Sequence, residues 1–159
     1  MASKPERKQQ VRIDEQVEPR VREALAGVVK RDPARFEAAL KTLQDTGSLQ
    51  HGIELATAIT TVVLAQVFGG MPSPEQRREL AAAISELESW AEPTPEEIET
   101  FLAALAEHRP LDGVLAPEQV TVLAFLLAGS LLASRAKEED GAWWFNVLDQ
   151  VEAIIERAN

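Results

Sequence analysis

The chain has 159 residues and no cysteine, so it is one domain of ordinary size without disulfide, thiolate or zinc–sulfur chemistry. There is no tyrosine and there are only two histidines, which thins the catalytic repertoire further. The net charge of −10 is unevenly spread: residues 1–35 carry nine Lys or Arg against six acids, and residues 36–159 seven against twenty. An acidic body repels phosphate backbones, which argues against nucleic-acid binding.

Residues 1–16 are polar and of mixed charge, and are read as a disordered arm ahead of a single helical domain over 17–159. The arm is too polar for a signal peptide, so a cytoplasmic protein is expected. The wealth of alanine and the excess of arginine over lysine match a bacterial composition. Helix-opening phrases then recur: Asp32-Pro33, Ser73-Pro74-Glu75-Gln76, Thr94-Pro95-Glu96-Glu97 and Ala116-Pro117-Glu118-Gln119. Proline occupies a first-turn position that has no NH partner to lose, and the acids suit the positive helix start. Ser73 with Gln76, and Thr94 with Glu97, have the spacing of capping boxes.

In chain order, a first helix starts at Glu18-Pro19 with Val21, Ala24, Leu25 and Val28 on one face, and a second runs from Pro33 to about Asp45. The third, about 48–68, is apolar on nearly every side apart from a thin strip of Gln50, Glu54, Thr57 and Thr61, which predicts a central helix. The fourth, 74–91, is read with a stripe of Leu80, Ala83, Ile84, Leu87 and Ala91, and the fifth, 95–108, with Ile98, Phe101, Leu102 and Leu105. The sixth, about 117–136 and reaching 138, is the second central helix, and its Ala124, Ala128, Gly129 and Ala133 admit a close neighbour. Both central segments fall short of the roughly 18–20 apolar residues of a membrane span. After Gly141 a last helix, about 142–157, closes an all-α bundle of six to seven helices.

Candidate sites are few. His51 and Glu54 are three apart and can share a helix face as an acid–base pair or as two metal ligands, but a second such pair is lacking. His108 falls in the last turn of the fifth helix, where a cation suits the carbonyl end. Glu86/Glu88, Glu96-Glu97 and Glu138-Glu139-Asp140 read as solvated helix ends or faces. In Trp143-Trp144-Phe145, Trp144 aligns with Val147, Leu148, Val151 and Ile155 toward the core. Trp143 and Phe145 then flank that stripe, where one of them can serve a partner interface. The stretch Asp112-Gly113-Val114-Leu115-Ala116-Pro117-Glu118 resembles the helix junctions of tellurite-resistance-type helical domains over seven residues, and no family is assigned from it.

These features point to a small soluble, non-catalytic interaction or regulatory protein of the adaptor type, with no cofactor, no metal and no catalytic residue. It would act on a protein partner or a second copy of itself. One alternative is an acidic immunity- or antitoxin-like inhibitor of a basic partner. Another is a helical enzyme using His51 and Glu54. The basic arm, for its part, suits an acidic partner.

Overall fold

Every proline-marked opening becomes a helix start in the computed structural model, which describes residues 12–138 and 143–158. Among these residues there are seven α-helices and no strand: α1 Glu18–Val29, α2 Pro33–Asp45, α3 Leu49–Phe68, α4 Pro74–Leu87, α5 Pro95–Ala106, α6 Pro117–Glu138 and α7 Trp144–Arg157. The all-α bundle expected from periodicity and punctuation is what forms. Residues 1–11 of the expected arm, together with Glu139, Asp140, Gly141 and Ala142, lie outside the described residues.

The caps follow from local chemistry. Asp32 accepts the Arg35 N–H, and both capping boxes close, Ser73 with Gln76 and Thr94 with Glu97. At α6 the Ala116 N–H donates to Gln119 Oε1 at 2.9 Å, and Gln119 Nε2 donates to Glu97 Oε2 at 2.9 Å. The starts of α5 and α6 are thereby tied together. Val17 has no capping side chain, so Asp14 leads into α1: its carboxylate accepts the Gln16 N–H at 2.7 Å and its carbonyl the Glu18 N–H at 2.9 Å. Ile13, one residue earlier, packs against the core. Gly69 ends α3 in the left-handed conformation, φ 75°, with its N–H on the Ala65 carbonyl.

Helix α6 is the axis of the bundle, touching α1, α3, α5 and α7, while α1 with α2 and α4 with α5 form paired helices around it. Phe125, Leu126 and Leu127 of α6 meet Leu25, Leu43, Ile59, Leu64, Phe101 and Leu102 in one continuous core. The small residues of α6 do admit a neighbour. A Cβ on Gly129 would lie 2.6 Å from Val28 Cγ1, so α1 sits directly on the α6 backbone. Gly27 does the same for α2, with a virtual Cβ 2.8 Å from the Phe36 backbone.

By length and composition α3 and α6 are apolar enough to cross a bilayer, more than the sequence reading allowed, with hydropathy of 1.4 and 1.5 over an 18-residue window. In the folded body 61% of the α6 window is buried, as in a core helix. The α3 window is 39% buried: Gln50 and Glu54 of its polar strip are exposed, whereas Thr57 and Thr61 are half-buried.

The fourth helix departs from expectation. It ends at Leu87, and a short 3-10 turn, Ser89–Ala91, follows. Its inner face is Ala81 and Ile84, with Leu80 half-buried and the buried Glu88 just past the end, whereas Ala83 and Leu87 are exposed. The face is rotated by one position because a carboxylate, not an apolar side chain, completes the inner stripe. His108 likewise lies beyond α5, exposed and left-handed at φ 57°.

Candidate functional site

Helix α7 is anchored by Val147, Leu148, Val151 and Ile155, all buried against α6 and α3. Its first residue is Trp144, which is half-buried, so this ring forms the rim of the core rather than its centre. Trp143 precedes the helix with extended backbone, φ −75° and ψ 142°. A residue off the helical spiral is free to fold its ring toward the residue two places on. Trp143 stacks on Phe145 with centroids 5.7 Å apart and planes at 23°, and Trp144 meets Phe145 edge-on at 6.0 Å. Trp143 is 62% exposed and Phe145 40%. A Trp–Phe stack open to solvent leaves a large apolar area without cover.

Beside this stack runs an open groove of about 390 Å³, lined by Glu18, Pro19, Arg22, Glu23 and Ala26 of α1, Arg35 of α2, and Trp144 and Phe145. Phe145, Asp149 and Glu152 lie four and three residues apart on one flank of α7, and Glu18, Arg22 and Ala26 follow at intervals of four on α1. Side chains bridge the two helices. Arg22 Nη2 donates to Glu18 at 2.7 Å and Asp149 at 2.9 Å, and stands 3.4 Å from Glu152. Arg22 Nε adds a second bond to Glu18 at 3.0 Å. At the far edge Arg35 grips Glu23 with two bonds of 2.6 and 3.0 Å.

One guanidinium therefore serves three carboxyl groups. Burial, the hydrogen bond to Glu18 and the Glu18 charge push Glu152 up to about 8, against the opposing pull of Arg22. Burial also opposes ionisation of Glu18, but the hydrogen bond from Glu152 and the contacts with Arg22 outweigh it, leaving Glu18 below the usual carboxylate range. The Glu23 carboxyl is held down by its Arg35 hydrogen bonds.

The other sequence candidates stand apart from this face. His51 and Glu54 are both exposed on the first turns of α3, and the Glu54 carboxylate accepts a hydrogen bond from Gln50 Nε2 at 3.3 Å. Among the described residues no group of three or more His, Cys, Asp or Glu is arranged to hold a metal ion.

Glu88, expected to be solvated, is 3% exposed. Its carboxylate accepts from Trp90 Nε1 at 2.7 Å and from Ser130 Oγ at 2.8 Å, with Arg31 Nε 3.6 Å away. Trp90 in turn meets Phe36 edge-on at 5.9 Å. This network joins the α1–α2 turn, α2, the end of α4 and α6. It is a tie within the fold.

The Glu18–Arg22–Asp149–Glu152 cluster escaped sequence reading. The Glu18/Arg22 spacing of four was a signal for one helix pair, but the partners on α7 are 127 and 130 residues away. No protein-family model, curated protein or solved structure matches this chain.

Proposed function

We propose that the protein is a non-catalytic binding module whose contact surface is the Trp143–Phe145 stack and the adjoining groove. The observation that carries this reading is the exposure of two stacked aromatic rings, 62% and 40%, at the start of a well-anchored helix. Aromatic side chains supply much of the binding energy at protein interfaces, because they bury large area at small conformational cost. The anchored helix presents Phe145, and Trp143 is already stacked on it, which leaves less ordering to be done on binding.

Charge selects the class of partner. Two copies of a chain with net charge −10 repel each other, so self-association works against the field of the molecule. A foreign protein with an apolar pocket set in a basic surround fits both the rings and the acidic body, and the protein would then act as an acidic adaptor or inhibitor of that partner. Sedimentation at concentrations well above micromolar tests the choice between them. A monomer is expected, and a dimer weakened by Trp143→Ala or Phe145→Ala would replace the foreign partner with a second copy.

A further inference from the structure

We propose that Glu18 and Glu152 share a proton at neutral pH and act as a latch that holds the aromatic start of α7 against α1, opening as the solution becomes mildly alkaline. This inference rests on the aromatic face being the contact surface and concerns its regulation.

The geometry favours a proton. Glu152 Oε2 is buried and has no hydrogen-bond partner as long as its carboxyl is only an acceptor. Glu18 and Glu152 are 16% and 13% exposed at their side chains and both face the single Arg22 guanidinium, which is also claimed by Asp149. Two carboxylates side by side repel, whereas a protonated Glu152 donates to Glu18 and leaves one negative charge for Arg22 to neutralise. The charged groups acting on Glu152 are Glu18 and Arg22 from α1 and Asp149 from α7 itself, and the upward shift of its carboxyl to about 8 agrees with this placement.

The latch and the contact surface are mechanically one unit. Glu18 and Arg22 line the same groove as Trp144 and Phe145, and Phe145, Asp149 and Glu152 share one flank of α7. The α1–α7 connection is made by side chains that this proton keeps in balance. Loss of the proton puts three carboxylates on one arginine in a half-buried seam, and the side-chain bridge between α1 and α7 opens beside Trp144 and Phe145. The sign follows from the raised value in the folded state. The contribution is full below the ordinary carboxyl range and is lost as pH rises toward about 8, with the folded-to-unfolded ratio falling by up to about tenfold per pH unit in between.

The experiment compares wild type with Glu152→Gln, whose amide still donates to Glu18 but cannot ionise. Intrinsic tryptophan emission and the urea midpoint are followed from pH 5 to pH 9. Wild type is expected to lose stability across this range and to show an emission change centred near pH 8, and Glu152→Gln to lack both pH dependences. Glu18→Gln offers a second route should Glu152→Gln fold poorly: with the Glu18 charge gone and only burial still raising Glu152, the alkaline transition should move to lower pH. A wild-type profile that is flat, or that persists unchanged in either variant, would overturn the latch. Neither result touches the binding reading, which stands or falls on the Trp143 and Phe145 variants.

Discussion

The Ser130 hydroxyl donates to Glu88 Oε2 at 2.8 Å in the interior of the bundle, a polar contact between the end of α4 and the middle of α6. With Trp90 Nε1 on the other oxygen, this carboxylate has a donor at each end and an arginine near its rim. Glu88→Ala strands a buried hydroxyl and an indole N–H, and should cost about 2–3 kcal/mol. Glu88→Gln keeps an acceptor and should cost less. Urea denaturation of the two variants checks the order, and equal midpoints to wild type would show that the network is dispensable.

The approach of Val28 to Gly129 gives a sharper test of the packing. An added methyl would sit 2.6 Å from Val28 Cγ1 and 2.7 Å from its Cβ, too close to be absorbed by rotation of the valine. Gly129→Ala should therefore destabilise by about 1–3 kcal/mol, as overpacked cores do. Adding Val28→Ala removes the clashing Cγ1 and leaves the Cβ at 2.7 Å, so the double variant should recover only part of that loss. Strict additivity of the two substitutions would contradict the close approach.

The three rings at the start of α7 should separate in thermal or chemical unfolding. Trp144 is half-buried, so Trp144→Ala should cost less than the roughly 3–5 kcal/mol of a fully buried aromatic, at about 1–3 kcal/mol. Trp143, at 62% exposure, should change stability by less than about 0.5 kcal/mol when replaced by Ala. A large loss for Trp143→Ala would mean that the stack serves the fold.

The acid limb of the stability profile has the opposite sign to the alkaline one. Glu18 and Glu23 are held below the ordinary carboxylate range, Glu18 by Glu152 and Arg22 and Glu23 by Arg35. Their contribution is present above that range and is lost as pH falls through their lowered folded values. Replacing Arg22 with Gln should move acid unfolding to higher pH. An unchanged acid midpoint would leave the Arg22 contacts without energetic weight.

What was legible in the sequence was local. Ser73–Gln76 and Thr94–Glu97 close as capping boxes because every atom needed lies within four residues, and proline marks each start. The apolar stripe of α1 is buried as read, and so is that of α5 apart from the half-buried Leu105, since each residue inside is apolar. The reading of α4 slipped by one position because its inner stripe ends in Glu88, whose partners Ser130 on α6 and Arg31 in the α1–α2 turn are distant in sequence. The Trp143–Phe145 pair was visible as an excess of rings over what one stripe can hold. The cluster around Arg22 was not, because its carboxylates come from both ends of the chain and meet only after α7 has packed on α6 and α3.

The measurement that tests the central claim most directly is comparative affinity capture from an extract of the protein's own cells. The baits are wild type, Trp143→Ala, Phe145→Ala and, as a control at another exposed apolar site, Val67→Ala, each shown to be folded. One partner should be retained by wild type and Val67→Ala and lost from both aromatic variants, and its release should need less salt if acidic groups on this surface take part. Retention of the same partner by all four baits would contradict an aromatic contact surface at the start of α7.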